Sequence, residues 1–169
     1  MPNRHNPLRL KAADIMATEV LTVPASMTLH GLALLFSENK ISGAPVVDRD
    51  HNVVGVVSET DLVRHQATAG VEESDDWAFF RSMEAEDVEA MADGFRIEQL
   101  PDALVSDIMT TRLITASEDD LVSTLASQML ERRVHRLLIV KDRKLRGIVT
   151  TMDMLRVLTT ARPDPFHER

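Results

Sequence analysis

Residues 41–62 read ISGAPVVDRDHNVVGVVSETDL, and this stretch decides the fold. It contains two apolar runs, Ala44–Val47 and Val53–Val57, on either side of the polar turn Asp48–Asn52. Short runs rich in β-branched residues around a polar turn predict an antiparallel hairpin. A helical segment follows at once, and we expect it from Glu59 to Gln66.

The same pattern occurs a second time, as VHRLLIVKDRKLRGIVTTMDM at residues 134–154. Asp14-Ile15-Met16, which precedes the first stretch, recurs 93 residues later as Asp107-Ile108-Met109. Gly55, which follows the hairpin turn, recurs 92 residues later as Gly147. A single gap that falls in the hairpin turn is typical of an internal duplication. A unit of roughly 55 residues is marginally stable alone, so we expect the two copies to pack on each other.

Each copy is predicted to run strand, helix, strand, strand, helix, which gives a mixed α/β (α+β) fold. The first strands are expected at Val20–Val23 and Leu113–Ala116, and the helices after them at the N-caps Ser26 and Ser117. The remaining elements of the second copy are predicted as strands at Leu137–Val140 and Leu145–Val149 and a helix at Met152–Thr160.

The net charge of −8 is concentrated between the copies, where nine acids and one base lie within residues 71–94. We predict copy one at residues 8–65, an acidic helical insert at 66–104 and copy two at 105–160, with flexible tails at 1–7 and 161–169. The insert is either a linker that packs its aromatic residues on the core or a docking surface for a basic partner. The residues leave both interpretations open.

Several function classes are excluded by composition. The 169 residues include no cysteine, so disulfides, thiolate nucleophiles and cysteine metal sites are absent. The six histidines show no metal-ligand spacing, and neither a nucleophile elbow nor a Walker loop occurs. We predict that the protein is not an enzyme and holds no metal. Without a signal segment, a membrane-length apolar run or a net basic surface, we expect a cytoplasmic protein that binds neither membrane nor nucleic acid.

The repeated pattern resembles a cystathionine β-synthase (CBS) domain, present twice in register. The resemblance is carried by Asp14-Ile15-Met16 and residues 41–48 and 55–62 of copy one, and by residues 134–140 and 147–153 of copy two. It implies that the repeats pack about a pseudo-twofold axis as a Bateman module with two clefts between them. It also implies a homodimer through the CBS helices, no required cofactor, and binding of AMP, ADP or ATP ahead of S-adenosylmethionine or NADH.

The resemblance further implies which residues line the clefts. Asp61 and Asp153 would bind ribose hydroxyls, and Ser58 and Thr150 would lie near phosphate, which a helix N-terminus favours. His135 and Arg136 would also contact phosphate. The adenine slot would be formed in cleft one by Leu21, Thr22, Val23, Ala44 and Pro45, and in cleft two by Ile114, Thr115, Ala116, Arg136 and Leu137.

Two alternatives remain open on the residues alone. Ser-x-x-Asp and Thr-x-x-Asp also fit helix caps that need no ligand, and both roles can hold together. As a whole we expect a stand-alone regulatory protein that passes its ligand state to a partner protein in trans, but a ligand-independent scaffold acting through the CBS dimer and the acidic insert also fits. Because Ser42-Gly43 stands where copy two has His135-Arg136, we expect the two clefts to differ in affinity for phosphates.

Overall fold

A computed structural model gives the fold and describes residues 9–67 and 103–160. Copy one contains α1 (Ala12–Ile15), β1 (Val23–Pro24), α2 (Leu29–Asn39), β2 (Gly43–Val47), β3 (Val53–Ser58) and α3 (Glu59–Ala67). Copy two contains α4 (Val105–Ile108), β4 (Thr115–Ala116), α5 (Val122–Arg132), β5 (Arg136–Lys141), β6 (Lys144–Thr150) and α6 (Thr151–Thr160). The predicted mixed fold and its repeated element order are confirmed.

Each copy forms one three-stranded sheet, in the order β1-β2-β3 or β4-β5-β6. The first strand runs parallel to the second, and the second pairs antiparallel with the third. Val23 pairs with Val46 in copy one, and the matched residues Ala116 and Ile139 pair in copy two. The duplication in the sequence therefore extends to the hydrogen-bond register.

Both predicted hairpins are present. The first turn is held by the Asp48 carboxylate, which accepts hydrogen bonds from the backbone N–H groups of Asp50 and Asn52 at 2.9 and 2.8 Å. In the second turn Asp142 and Arg143 have φ values of 51° and 63°, as a two-residue type I′ hairpin requires. The second turn is shorter because it uses this tighter geometry.

The start of each copy differs from the prediction. The first strands are only two residues long, and the helices after them have Thr28 and Leu121 as N-caps, so the predicted caps Ser26 and Ser117 are wrong. Ser117 instead opens a turn, because its backbone N–H donates to Asp120 Oδ2 at 2.8 Å. Serine is favoured in turns as well as in caps, which is why the sequence pattern did not separate the two.

The segment that precedes each first strand packs on the other copy. Ala12 is fully buried in the core of copy two, and Ala17 pairs with Ile148 of β6. Val105 is fully buried in the core of copy one, and Thr110 pairs with Val56 of β3. Each copy thus completes the core of the other, which confirms that the two pack together.

Two matched glycines make this close approach possible. A Cβ atom on Gly147 would lie 2.7 Å from the Ala17 carbonyl oxygen and 2.8 Å from Met16 Sδ. A Cβ atom on Gly55 would lie 2.7 Å from Met109 Sδ. All three distances are shorter than van der Waals contact allows, so a Cβ atom at either position would force the crossing segment or its side chains to shift.

The predicted insert falls largely outside the described residues, as do the predicted tails at 1–7 and 161–169. The domain boundaries therefore stay a prediction. Within the described residues, α3 continues through Ala67, two residues past the boundary expected at residue 65.

Candidate functional site

Site one is built around Ser58 and Asp61, at the junction of β3 and α3. The backbone N–H and the hydroxyl of Ser58 both donate to Asp61 Oδ2, each at 2.7 Å. Ser58 is 3% exposed and Asp61 is 8% exposed. The carboxylate therefore caps the helix, as one of the two interpretations of the sequence predicted.

Site two repeats this arrangement around Thr150 and Asp153, between β6 and α6. The N–H and hydroxyl of Thr150 donate to Asp153 Oδ2 at 2.8 and 2.7 Å, and the Asp153 N–H donates to Thr150 Oγ1 at 3.3 Å. Asp153 Oδ1 accepts a bond from the exposed Arg156 at 3.0 Å. The Arg156 side chain is 75% exposed and that of Asp153 is 13% exposed, so solvent screens the pair from the arginine side only. A pair of this kind contributes on the order of 1 kcal/mol, and Oδ1 can exchange Arg156 for another donor at that cost.

The neighbouring strand distinguishes the sites. Gly43 is the cross-strand partner of Ser58, whereas Arg136 is the cross-strand partner of Thr150. This confirms the predicted alignment of residues 42–43 with 135–136. Burial lowers the pKa of Arg136, but a guanidinium stays protonated at neutral pH. Site two therefore has a partly buried cation beside the cap, and site one has a glycine there.

His135 lies at the same end of the sheet, and its side chain is exposed. Its carbonyl oxygen accepts a bond from the Thr151 N–H at 2.9 Å, just as the Ser42 carbonyl accepts one from the Glu59 N–H at 2.9 Å. These bonds join the start of the second strand to the start of the closing helix. The helix N-terminus is thereby held against the strand in both copies.

The register places the predicted adenine residues at this same end of each sheet. Because Val23 pairs with Val46 in parallel, the residues just before it, Leu21 and Thr22, run alongside Ala44 and Pro45. In copy two Thr115 pairs with Leu138, whose N–H donates to the Ile114 carbonyl at 3.2 Å. The structure thus brings the predicted residues of each cleft to one end of one sheet.

Burial limits what these residues can offer a ligand. Val23, Ala44, Ile114 and Leu137 are at most 2% exposed and belong to the core. They can contribute backbone groups only. The side chains of Leu21 and Thr115 are exposed and can contact a ligand directly.

The described residues contain neither a metal-binding cluster nor a membrane-spanning helix. Among residues 9–67 and 103–160, no group of three or more histidine, aspartate or glutamate side chains is placed to hold a metal ion. Within the same ranges, none of the helices has both the length and the apolar character needed to cross a membrane.

Comparison with known proteins identifies the repeat. A family model described as CBS domain matches residues 12–68 and again residues 105–160. The chain belongs to the CBS domain family. This CBS pair is 31% identical to uncharacterized protein MJ1232 of Methanocaldococcus jannaschii, over 94% of the chain but 43% of that protein. It is 32% identical to uncharacterized protein MJ1426 of the same organism, over 86% of the chain and 89% of that protein. The chain therefore spans less than half the length of one relative and most of the other.

Solved structures share the fold of the CBS pair. The CBS domain of a CBS domain containing membrane protein from Sphaerobacter thermophilus superposes with a TM-score of 0.64 at 28% identity, covering 89% of each chain. CBSX2 in complex with AMP gives 0.64 at 24% identity, over 90% and 98% of the two chains. The CBS pair of MJ0100 in complex with 5′-methylthioadenosine and S-adenosyl-L-methionine gives 0.60 at 21%, over 90% and 98%. Together these neighbours establish the tandem CBS, or Bateman, architecture.

Sequence reasoning missed two groups at the sites. Arg156 pairs with Asp153, and the recurrence of Asp-x-x-Arg in both copies, at the spacing of helical ion pairs, could have identified it. Glu59 follows Ser58 directly and is half-buried, and this burial raises its pKa. No pattern in the sequence indicates that burial, because it depends on what packs against the first turn of α3.

Proposed function

We propose that this CBS pair is a regulatory module that binds adenosine-containing ligands, AMP, ADP or ATP first, at sites one and two. It passes the ligand state to a partner protein, and it binds its ligands without converting them. One observation carries the proposal. In both copies, the capped N-terminus of the closing helix lies at the end of the sheet beside the two parallel strands. Such an end offers amide donors to a phosphate and unpaired strand edges to an adenine ring.

The ribose role of Asp61 and Asp153 is compatible with their caps. The cap bonds given above fall on Oδ2 at each site, and a carboxylate has about four lone-pair positions. Asp61 takes part in a further interaction within the protein, which a ribose hydroxyl would share or replace. At site two, Oδ1 is held by the exposed Arg156, which a ribose hydroxyl can replace. CBSX2 and MJ0100, which share the fold, were crystallised with AMP and with S-adenosyl-L-methionine, and this supports an adenosine ligand here.

A thermal-shift screen against AMP, ADP, ATP, S-adenosylmethionine and NADH tests the proposal, followed by titration calorimetry on each hit. A ligand that binds only the native state raises the melting temperature with concentration. We expect Asp153→Ala to abolish ribose recognition at site two. Asp120→Ala is the matched control, because Asp120 makes a similar backbone bond at the other end of the same sheet. Unchanged nucleotide affinity in Asp153→Ala would contradict the assignment.

A second function, a ligand-independent scaffold, is favoured by one observation. Helix α6 exposes Met152, Leu155 and Leu158 at 58%, 53% and 61%, which forms an apolar stripe at helical spacing. In the regulatory proposal this stripe forms the homodimer, and a ligand at site two alters it because α6 begins at the site. Hydrogen exchange over residues 152–160 with and without nucleotide separates the two functions. No change at saturation, together with flat melting curves, would favour the scaffold.

A further inference from the structure

The charge around the two sites differs although their hydrogen bonds match. At the end of α5 and the start of β5, copy two has Arg132, Arg133 and Arg136. The matched residues of copy one are Asn39, Lys40 and Gly43, with a single charge. This end of the sheet is therefore more positive in copy two before the closing helices are considered.

The first turns of the closing helices increase the difference. In α3, Glu59 and Asp61 balance the positive charges of Lys40 and Arg64, so the matched set of copy one is neutral. In α6, Thr151 replaces Glu59, and only Asp153 opposes the three arginines and Arg156, so the set of copy two carries +3. A difference of three charges on one scaffold is large enough to select ligands by charge.

Two of the charges that differ between the copies adjoin the cap residues. Arg136 is the cross-strand partner of Thr150, and Glu59 follows Ser58 directly in the chain. Arg136 already takes part in an interaction within the protein, but a guanidinium has five N–H donors and can hold a phosphate as well. The Glu59 carboxylate is half-buried, where water screens its repulsion of an anion less than it would at the surface.

We infer that the two sites take different chemical classes of adenosine ligand. Site two binds an adenosine phosphate through Arg136, and site one binds a phosphate-free adenosine compound, because Glu59 repels the phosphate and no cation replaces Gly43. This inference rests on the proposed function and goes beyond it by giving each site its own ligand class. Arg136 and Glu59 are the residues that determine specificity.

Calorimetry with adenosine and AMP tests the inference, because the two ligands differ only in the phosphate. We expect AMP to bind one site per chain more tightly than adenosine and adenosine to bind the other more tightly than AMP. Arg136→Gly, which copies site one, should weaken AMP binding at least about tenfold, the order expected for one charge-assisted bond. The same change should leave adenosine affinity within about twofold, since the predicted adenine slot can use the backbone groups of residue 136, which glycine keeps.

The reverse change is Glu59→Thr, which gives site one the residue type that Thr151 provides at site two. It should strengthen AMP binding at site one several-fold and leave AMP binding at site two unchanged. Arg49→Gln is the matched control for both variants, because Arg49 is exposed in the hairpin turn at the far end of its sheet. It removes one positive charge without approaching either site, so its AMP affinity should equal that of the wild-type protein.

The outcomes distinguish this inference from the proposed function. If neither adenosine nor AMP binds the wild-type chain and the thermal-shift screen is flat for every ligand, the proposed function is wrong. If both bind but Arg136→Gly weakens adenosine and AMP equally, or Arg49→Gln weakens AMP as much as Arg136→Gly does, the division by charge is wrong. Circular dichroism of each variant shows that it is folded, and a second variant, Arg136→Gln, replaces Arg136→Gly if glycine unfolds the strand.

Discussion

The two copies of the CBS repeat have the same caps in different surroundings. Ser58 and Asp61 are nearly completely buried and face a glycine, whereas Thr150 and Asp153 are partly exposed and face Arg136. The bond lengths within the two caps differ by at most 0.1 Å. The duplicated fold therefore preserves backbone geometry, while charge and exposure around it are free to diverge.

The copies also differ in which atoms of the crossing segment lie nearest to the matched glycine. The segment before β1 crosses over Gly147 with its backbone, since the Ala17 carbonyl is the atom nearest to a Cβ there. The segment before β4 crosses over Gly55 with the Met109 side chain nearest. A backbone cannot rotate away as a methionine side chain can, so the two crossings should respond differently to the same substitution.

The largest expected effect tests this difference between the two crossings. Gly147→Ala should destabilise the protein by about 3 kcal/mol and Gly55→Ala by about 1 kcal/mol. The reason is that the nearest backbone atom is 2.7 Å from the new Cβ at Gly147 but 3.1 Å away at Gly55, where the shorter contact is with a side chain that can rotate. Urea denaturation of both variants measures the difference. Equal losses would mean that the crossing segments shift as units and that the identity of the nearest atom is irrelevant.

A smaller effect compares the caps. Asp61→Ala should cost about 2 kcal/mol and Asp153→Ala about 1 kcal/mol, since the first leaves a buried Ser58 hydroxyl without its acceptor and the second leaves a partly exposed threonine. Thermal unfolding without ligand gives both values. Asp61→Asn keeps one acceptor oxygen and should recover part of the loss. A larger loss for Asp153→Ala would show that exposure does not set the cost.

The closing helices offer a third comparison. Met152 and Leu155 of α6 are exposed, whereas their counterparts in α3, Thr60 and Val63, are buried and half-buried. If α6 forms the dimer, Leu155→Ser with Leu158→Ser should weaken dimerisation about tenfold or more, as the loss of apolar contact area implies.

Sedimentation over a range of protein concentrations measures that change in the dimer. Leu104→Ser is the control, because Leu104 is 37% exposed and lies outside the closing helices. A dimer that survives the double variant would move the interface away from α6. A wild-type chain that sediments as a monomer would contradict the proposed homodimer.

The smallest effect concerns Glu59, which copy two replaces with Thr151. Burial raises the pKa of Glu59, so the folded state holds this proton more tightly than the unfolded state does. The cost of the charge is therefore absent when the carboxyl is protonated in both states and appears as pH rises through the acid range. Glu59→Gln should add less than about 0.5 kcal/mol at neutral pH, because the group is only half-buried and solvent still screens much of its charge.

Urea denaturation at about pH 3 and about pH 7, on either side of the usual glutamate range, checks this dependence. We expect Glu59→Gln and the wild-type chain to be equally stable at the lower pH. A gain that is the same at both pH values would attribute the effect to packing and not to charge.

The hairpins and closing helices were predicted to within one or two residues, because alternation, turn residues and helix caps are local signals. The first strands were predicted too long at their start, since β1 pairs with β2 only at Val23 and Pro24, and β4 pairs with β5 only at Thr115 and Ala116. The helix caps after them were misplaced because the chain makes a further turn before Thr28 and Leu121. The length of the first strands and the position of these helix caps depend on residues that are distant in the sequence.

The features of the candidate sites were likewise predicted only where they depend on local sequence. The spacing of Ser58 with Asp61 and of Thr150 with Asp153 predicted the caps. Matching the copies predicted that Gly43 takes in copy one the place that Arg136 has in copy two. The burial of Glu59 and the pairing of Arg156 were not predicted. Both depend on which side chains pack around the first helical turn.

By itself, the sequence determined the duplication, which is visible as residues repeated at a nearly constant offset. It also determined the order of the strands and long helices and the cap at each site, because these are encoded by residues within a few positions of one another. Tertiary structure alone decided that α1 packs on copy two and α4 on copy one. The reason is physical: a short helix such as Ala12–Ile15 has no stability of its own, so its position is set by the apolar surface that is available to bury it. That surface belongs to the other copy.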